Sequence, residues 1–372
     1  MEMKIYMMSN NLDNGCYWVR NYLPAEALKK IGHYVRIDNK ITKHTYKYIG
    51  SGHLDTEPID WCDVFVLVRH YDQPIDIIEQ LVDYAKEQGK LVVYETDDLI
   101  QSIEESNPMY KAVKKNEEKV VQMIKMADVC TTTTEKIANQ IRKYNKNVVV
   151  LPNCVDPKLW KKRKGGNKRV LVGWQGSSSH IADLLEVIDP IIELQKEIEF
   201  DFVIFGLAPL QWSEYIEHLK IKHSLSLQEN PNAKPAEWFS KTMELDEKLK
   251  ELRWFHQPFV GIKEFSAKLS ELNFDIGICP ITETDFNEGR SAIKFYEYAM
   301  VGTVTLASKV GSYIEECLTV KNRHTKWKSS LRRLIEDKKL RKETLKEQGE
   351  WVLKNRTIDN KVKDWEKVYK NI

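Results

Sequence analysis

Residues 274–313 read FDIGICPITETDFNEGRSAIKFYEYAMVGTVTLASKVGSY, and this stretch decides the fold class. The apolar run 274–279 stops at Pro280, which indicates that a buried strand ends there. A helical pattern follows over 293–300, and the apolar run 304–307 predicts a second buried strand. A strand, a loop and a helix in this order direct free backbone N–H groups and the positive end of the helix dipole at a ligand above the sheet.

Two cations and one carboxylate mark the start of that helix: Arg290, Lys294 and Glu297. On an exposed helix such residues form a solvated face, and an ion pair there contributes only about 0.3 kcal/mol. Here Lys294 and Glu297 interrupt an otherwise apolar and aromatic helix, which favours a functional role. Arg290 and Lys294 suit the pyrophosphate of a nucleotide, and Glu297 can accept two hydrogen bonds from vicinal ribose hydroxyls.

Length and composition indicate a globular protein of two domains. The chain has 372 residues, which is long for a single core. Hydrophobic residues make up 42% and charged residues 30%, so neither disorder nor a membrane class is favoured. The net charge of +2 is too small to indicate a polyanionic partner from composition alone. No apolar stretch approaches the roughly 18 residues of a membrane span, and the N-terminus lacks a signal-like region, so we expect a cytoplasmic protein.

The cysteines are widely scattered and contain no C-x-x-C pair. Several lie inside apolar runs, which favours buried free thiols over disulfides or a zinc site. The six positions are Cys16, Cys62, Cys130, Cys154, Cys279 and Cys317.

Short apolar runs alternate with helical patterns twice along the chain, which predicts two α/β units with parallel sheets. We expect a Rossmann-like domain over 1–157, a linker over 158–169 and a second Rossmann-like domain over 170–345. The linker combines lysine, arginine and glycine, and it predicts a solvated hinge. An enlarged connection occupies 209–253, and the helical tail 346–372 carries an apolar face for docking.

The boundaries of several elements follow from these runs. Strands are predicted over 4–8, 64–68, 91–94, 129–132, 148–151, 169–174 and 200–205. Helices of the first unit are predicted over 22–30, 74–88, 109–126 and 135–144.

The loop after the first predicted strand contains Gly15, Cys16 and Tyr17. Its glycine lets a ligand approach the backbone, but it lacks the G-x-G-x-x-G spacing of a dinucleotide site. The loop is longer than a connection requires, which favours contact with the donor or the acceptor.

Paired carboxylates, Asp97 and Asp98, follow another predicted strand. Such a pair can hold a metal, act as a base or cap the next helix. No third carboxylate or histidine is spaced to complete a metal shell, so the sequence predicts no bound cation.

The second domain opens with a strand that leads into Gln175, Gly176, Ser177 and His180. Glycine and serine at a helix start offer N–H and hydroxyl donors to phosphate oxygens, and a serine-rich helix cap is the equally supported alternative. A neutral His180 can donate a hydrogen bond to the ligand.

The order of these loops resembles the retaining glycosyltransferases of the GT-B fold, in the GT4-like group (glycosyltransferase group 1) that uses nucleotide-sugar donors without a metal. The likeness is carried by DIGICP at 275–280, by 286–302, by VGWQGSSSH at 172–180, by LPNCVD at 151–156 and by 15–24. It implies an α/β GT-B architecture with two Rossmann-like domains facing across a cleft. It also implies that the C-terminal helices return toward the N-terminal domain.

The same resemblance implies roles for the second domain. By position, Glu297 binds the donor ribose, while Arg290 and Lys294 bind the diphosphate and stabilise its departing charge. Ser291 and Ile293, at the helix start, belong to the same donor-binding set.

One departure from the family pattern concerns the sugar. The glutamate that the family places eight residues before the ribose-binding one falls on Gly289. Either the adjacent Glu288 takes its place or the backbone of turn 287–290 binds the sugar. From the N-terminal half, Asp97 or Asp98 is implied to orient the acceptor or stabilise an oxocarbenium-like sugar.

The implied activity is metal-independent hexosyl transfer from a UDP-sugar to an acceptor hydroxyl with retained configuration, in the synthesis of a glycan or cell-surface polymer. The nucleotide sugar is a co-substrate, no further cofactor is implied, and the acceptor is a glycan, a lipid or a protein. Hydroxylated DNA bases are an alternative acceptor, because Trp212 and Trp238 could stack on bases and the basic stretch 321–342 could meet phosphates. A non-catalytic sugar-nucleotide-binding module and an epimerase are further alternatives.

Overall fold

The fold consists of twelve strands and seventeen helices within the residues that the computed structural model describes, which are 2–9, 11–38, 56–69, 74–230 and 234–370. The strands are β1 (Lys4–Met8), β2 (Tyr34–Asp38), β3 (Val64–Val68), β4 (Leu91–Thr96), β5 (Val129–Thr132), β6 (Val148–Val150), β7 (Leu171–Ser177), β8 (Asp201–Leu207), β9 (Trp254–Gln257), β10 (Ile276–Cys279), β11 (Val304–Ser308) and β12 (Leu318–Val320).

The helices lie between and after these strands. They are α1 (Gly15–Tyr17), α2 (Leu23–Lys30), α3 (Glu57–Trp61), α4 (Ile75–Glu87), α5 (Tyr110–Lys114), α6 (Glu117–Met126), α7 (Glu135–Ile141), α8 (Ile181–Glu197), α9 (Trp212–Glu229), α10 (Glu237–Leu249), α11 (Ile262–Leu272), α12 (Asp285–Glu288), α13 (Ile293–Val301), α14 (Tyr313–Glu316), α15 (His324–Glu336), α16 (Lys338–Asn355) and α17 (Ile358–Lys370). One π-helical turn, Trp18–Tyr22, joins α1 to α2.

The strands form two parallel sheets, in the orders β2-β1-β3-β4-β5-β6 and β12-β11-β10-β7-β8-β9. The second order is that of a doubly wound dinucleotide-binding sheet. Strands β8 and β9 follow on one side of β7, and β10, β11 and β12 follow on its other side, so the strand order reverses between β7 and β10. Open α/β sheets bind ligands at the carboxyl ends of the strands beside such a reversal. The predicted α/β architecture with two Rossmann-like domains is therefore confirmed.

Burial explains which strands the sequence predicts well. Every residue of β3, β4, β10 and β11 is buried, because helices cover both faces of a parallel sheet, and such strands appear as unbroken apolar runs. The edge strand β2 alternates between exposed and less exposed residues, β12 contains a single buried residue, and neither was predicted. The predicted helix over 109–126 is interrupted between α5 and α6, at residues 115 and 116.

The chain crosses between the domains a second time near its end. Helix α17 packs against α2, and Val362, Trp365, Val368 and Tyr369 join the apolar core around β1 and β3. The tail thus covers the N-terminal sheet. No helix of the described residues is long and apolar enough to cross a bilayer, and all six cysteines are free.

Two cations of the basic linker contact the second domain, while most linker residues, including Lys161, Lys164 and Lys168, are exposed. Lys162 Nζ donates to the carbonyl of Ala299 at 3.1 Å, and Arg163 Nε donates to the carbonyl of Gly302 at 2.9 Å. The Arg163 guanidinium also pairs with Asp275 at 2.8 Å. These cations satisfy the carbonyl groups at the C-terminal end of α13, where the helix dipole favours positive charge.

Candidate functional site

A pocket of about 360 Å³ opens between the two domains, at the carboxyl ends of both sheets. It is the place where the topology predicts a ligand. The structure brings most of the predicted site residues to its walls: Gly15, Cys16, Asp97, Asp98, Ser177, His180, Arg290, Ser291, Ile293, Lys294 and Glu297.

Helix α13 is held close to the second sheet by the absence of a side chain at Gly277. A Cβ atom there would lie 2.6 Å from the Tyr298 ring, so only glycine lets this ring lie on β10. Glu297 precedes Tyr298 and faces the pocket. The position of α13 is therefore set by the packing of the Tyr298 ring against Gly277 of β10.

Lys294 is the most unusual group of the pocket. Its Nζ atom is buried and, among the described residues, has no hydrogen-bond partner; it lies 5.3 Å from the centroid of the Trp174 ring. Burial, together with the positive charge of Arg290, lowers the pKa of Lys294 to about 8. An unpaired buried ammonium is costly, so this site favours an anionic ligand.

Arg290 lies beside it at the start of the same helix. Its guanidinium stacks 4.8 Å from the centroid of the Phe286 ring, and one terminal nitrogen donates to Nε2 of His180 at 2.7 Å. Its Nε is buried without a partner in the described part of the chain. Arg290 and Lys294 therefore offer two cations with unused donors near a helix N-terminus, an arrangement that suits phosphate oxygens.

His180 is engaged at both ring nitrogens. Nδ1 lies 2.7 Å from a carboxylate oxygen of Asp183, while Nε2 accepts from Arg290. Burial, with the charges of Lys294 and Arg290, lowers the pKa of His180 to about 3, so the ring is neutral. Its single proton faces Asp183. The prediction that a neutral His180 donates to the ligand is therefore wrong for this arrangement.

Gln175 and Gly176 lie behind the cations rather than on the pocket wall. Gln175 Nε2 donates to a carboxylate oxygen of Glu297 at 2.9 Å. A Cβ atom at Gly176 would lie 2.6 Å from the Trp174 ring and 3.2 Å from Lys294 Nζ. Gly176 thus provides the space for Lys294. Burial raises the pKa of Glu297 to about 8, which favours the protonated carboxyl group at neutral pH.

The first domain contributes one wall of the pocket, which contains Cys16, Asp97 and Asp98 and is called the N-terminal wall below. Arg69, which the sequence did not single out, contacts all three of these residues. It follows β3 directly, in a left-handed conformation with φ of 59°, and its guanidinium pairs with both Asp97 and Asp98. It also donates to Cys16 Sγ at 3.1 Å. Its place at the carboxyl end of a predicted strand was a signal that could have identified it.

Cys16, Asp97 and Asp98 place one ligand atom each within 4.8 Å of one another, a grouping that could hold a metal ion. Arg69 already supplies positive charge at this point. Burial raises the pKa of Asp97, but the Arg69 charge and the Cys16 hydrogen bond outweigh it, so the pKa is lowered overall. Burial and Asp97 raise the pKa of Cys16, which keeps the thiol protonated. The donor set therefore fits an ion-paired cluster better than a metal shell.

Asn153, from the junction between the domains, was also missed as a site residue. Its amide donates to Ser291 Oγ at 2.8 Å, and its carbonyl accepts from Arg20 at 2.9 Å. Arg20 in turn pairs with buried Glu95 at 2.8 Å. This chain of polar groups connects β4 of the first domain to Ser291, which precedes α13 in the second.

Gly289 lies at the contact between the domains. A Cβ atom there would lie 3.2 Å from Leu99 Cβ and 3.3 Å from Ile137 Cγ1, and its carbonyl accepts from Thr134 at 2.9 Å. Glu288 pairs with Lys136 at 2.7 Å and lines a separate groove. A Cβ atom at position 289 is therefore in tight contact with the first domain, and Glu288 does not line the pocket. The expectation that Glu288 takes the place of the sugar-binding glutamate is wrong for this arrangement, and binding of the sugar by the backbone of turn 287–290 stays a prediction.

Tyr17 is likewise not a wall of the pocket. Its ring lies 6.4 Å from that of Tyr22, centroid to centroid, within the turn that joins α1 to α2. Gly15 and Cys16 of the same loop do reach the pocket.

Comparison with known proteins gives structural neighbours alone. No protein-family model and no curated protein matches the chain. HepE from Anabaena, solved with UDP, matches with a TM-score of 0.63 and 10% identity over 100% of both chains. An alpha-glucosyltransferase in complex with UDP-glucose and DNA containing an abasic site matches with a TM-score of 0.67 and 13% identity, over 99% of this chain and 100% of that one.

A mutant of S. aureus TarM, in complex with fondaparinux, alpha-GlcNAc-glycerol and UDP, matches with a TM-score of 0.53 and 11% identity. That match covers 82% of this chain and 55% of TarM. At these identities the likeness concerns the fold. The chain therefore has the two-domain GT-B fold found in glycosyltransferases, with its pocket between the domains.

Proposed function

We propose that this protein transfers a hexose from a UDP-sugar to an acceptor hydroxyl, without a metal and with retained anomeric configuration. The observation that carries the proposal is the pair of cations at the start of α13: Lys294 Nζ and Arg290 Nε are buried and lack partners among the described residues. A diphosphate would satisfy both. The neighbours solved with UDP or UDP-glucose support a uridine nucleotide as the donor.

The reaction that fits this pocket breaks the bond between the anomeric carbon and the diphosphate oxygen. Negative charge then grows on the leaving diphosphate, where Arg290, Lys294 and the N-terminus of α13 stabilise it. Each charge-assisted hydrogen bond contributes about 1.5–3 kcal/mol. Glu297, behind them, is placed to bind the ribose, and Gln175 holds one of its oxygens.

The N-terminal wall faces the sugar from the opposite side. Asp97 and Asp98 stay in place because both pair with Arg69, and either carboxylate can orient the acceptor hydroxyl for attack on the anomeric carbon. The acceptor oxygen then forms the new bond on the face from which the diphosphate departs, and the hydroxyl proton passes to the departing diphosphate oxygen. Contacts across the cleft, such as Asn153 with Ser291, bring the two walls together.

The experiment is a screen of UDP-sugars for thermal stabilisation and then for release of UDP, with EDTA present to test metal independence. The proposal predicts that one sugar is turned over and that Lys294→Ala and Glu297→Ala reduce the turnover. Unchanged turnover in both variants would contradict the site assignment. Tight UDP-sugar binding without turnover on any acceptor would instead indicate a non-catalytic binding module.

A second candidate, transfer to hydroxylated DNA bases, is favoured by one further observation. A groove of about 720 Å³ beside the pocket is lined by Lys309, Lys321 and Arg323, which form no ion pair within the described residues. Four of the neighbouring structures, all of an alpha-glucosyltransferase, were solved with DNA. Trp212, however, is buried in the core of the second domain and is not available to stack on a base.

Retention on a DNA column over a range of salt concentrations tests this candidate. A DNA-binding groove predicts strong retention at low salt that declines as salt releases counterions from the phosphates, and a weaker dependence in Lys321→Met. Elution at the lowest salt would rule out DNA as the acceptor.

A further inference from the structure

The inference begins with Asp183, a buried carboxylate near the start of α8. Its Oδ1 accepts three hydrogen bonds, from the backbone N–H of Thr282 at 2.8 Å, from the Thr282 hydroxyl at 2.9 Å and from the Asn287 amide at 3.0 Å. Its Oδ2 lies 2.7 Å from Nδ1 of His180. The two oxygens therefore have separate partners: one holds the loop between β10 and α12, and the other holds the imidazole.

The imidazole in turn faces the guanidinium of Arg290 through Nε2. A guanidinium only donates hydrogen bonds, so Nε2 has to be the unprotonated, accepting nitrogen of the ring. The proton of the neutral ring then resides on Nδ1, where the Asp183 carboxylate accepts it. Only this tautomer satisfies both neighbours, because the other one sets two donors against each other at Arg290 and leaves Oδ2 of Asp183 without a donor.

We propose that Asp183 is a positioning residue that fixes the Nδ1–H tautomer of His180, so that His180 holds the Arg290 guanidinium toward the donor diphosphate. This inference rests on the proposed function, and it adds a specific task for two buried residues that do not themselves bind the sugar. Asp183 also places one full negative charge behind Arg290 and Lys294, which keeps both cations near the pocket before the diphosphate arrives.

The substitution Asp183→Asn tests the tautomer with little change of shape. The asparagine keeps an oxygen for Thr282 and Asn287, while its –NH₂ group replaces the oxygen that faces His180. An –NH₂ group donates, so Nδ1 must become the acceptor and the proton must move to Nε2, against Arg290. We expect ¹⁵N NMR of the imidazole to show the Nε2–H tautomer in this variant and the Nδ1–H tautomer in the unmodified protein.

The functional readout is the affinity for UDP, measured by titration calorimetry, which needs no knowledge of the acceptor. We expect Asp183→Asn to bind UDP about tenfold more weakly, the value of one misaligned charge-assisted hydrogen bond. The control is Thr282→Val, which removes one hydrogen bond from the other oxygen of Asp183. It should keep the Nδ1–H tautomer and bind UDP within about threefold of the unmodified protein.

A second pair of variants keeps the inference testable if Asp183→Asn does not fold. Glutamine at position 180 can present an oxygen to Arg290 and an amide to Asp183, whereas leucine can present neither. We expect His180→Gln to bind UDP more tightly than His180→Leu, with the fold of both variants verified by circular dichroism.

Three results would overturn the inference while leaving the proposed function intact. The first is an Nδ1–H tautomer or unchanged UDP affinity in Asp183→Asn. The second is a loss of affinity in Thr282→Val as large as in Asp183→Asn, since loop rigidity would then explain both. The third is equal affinity in the two His180 variants. An unmodified protein that does not bind UDP would instead contradict the proposed function, and the inference with it.

Discussion

The two walls of the pocket differ in whether their buried charges form ion pairs. On the N-terminal wall the buried ions are paired: Arg69 with Asp97 and Asp98, and Arg20 with Glu95. On the C-terminal wall, neither Lys294 nor Arg290 forms an ion pair among the described residues, and Lys294 Nζ has no hydrogen-bond partner there. Since a buried charge without a counter-ion costs free energy, the difference indicates that the cations of the second wall, unlike those of the first, favour an anionic ligand.

Arg69→Met breaks the N-terminal wall and has the largest expected effect. It leaves Asp97 and Asp98 facing each other without a cation, so both carboxylates should move. We expect turnover with the acceptor of the unmodified protein to fall at least about a hundredfold. Affinity for UDP should change little, because Arg69 lies on the other wall. The free energy of unfolding should fall by about 2 kcal/mol, less than for a fully buried pair.

The matched control is Arg142→Met, which removes an exposed partner of Glu135. It should change stability by less than about 0.5 kcal/mol and leave turnover intact. Equal turnover in the two variants would show that Arg69 does not organise the acceptor side.

Lys294→Met breaks the C-terminal wall, with the opposite effect on stability. UDP affinity should fall about 10- to 100-fold, because one charge-assisted hydrogen bond is lost. The free energy of unfolding should rise by about 1 kcal/mol, because an unpaired charge is no longer buried. Calorimetry and chemical denaturation measure the two quantities. Lys161→Met, at an exposed linker position, is the control, and a loss of stability in Lys294→Met would contradict the comparison of the walls.

The pH dependence of UDP-glucose binding sharpens the same comparison. Lys294 has a lowered pKa of about 8, so it is charged below that pH and neutral above it. A bound diphosphate raises this pKa, and we therefore expect constant affinity below pH 8 and a decline of about tenfold per pH unit above it. The two phosphates of UDP-glucose keep their charge in this range, since neither has a second ionisable group.

Glu297 ionises in the same range, and its carboxylate would improve ribose binding as the pH rises, against the effect of Lys294. The decline should therefore persist in Glu297→Gln and disappear in Lys294→Met. A decline that persists in Lys294→Met would assign it to another group.

Gly289→Ala tests the contact between the walls and has the smallest expected effect. The added methyl group meets Leu99 and Ile137 at 3.2–3.3 Å, so the domains must separate slightly, and we expect a loss of about 1 kcal/mol. Gly349→Ala, in an open part of α16, should instead stabilise by about 1 kcal/mol through helix propensity. Thermal unfolding of both variants measures the difference, and a stabilised Gly289→Ala would show that the contact is loose.

The sequence predicted the interior strands and much of the C-terminal wall. β1, β3 and β5 have the predicted boundaries, because nearly all of their residues are buried, as in strands covered on both faces. Arg290, Lys294 and Glu297 stood out because polar residues interrupt an apolar helix. Asp183, by contrast, lies in the first turn of α8, where an acidic residue is common and gives no sign of a special role. Only its contacts with His180, Thr282 and Asn287 indicate its role.

By itself the sequence therefore determined the two α/β units and the start of α13 with its two nearby cations. Both depend on the spacing of apolar residues and on turn residues that lie close together in the sequence. Only the tertiary structure decided the partners of the charges. Arg69 meets Asp98 across 29 positions of sequence, and His180 meets Arg290 across 110. It also placed Gly289 against Leu99 of the first domain, since a contact between domains depends on how two separately folded surfaces pack.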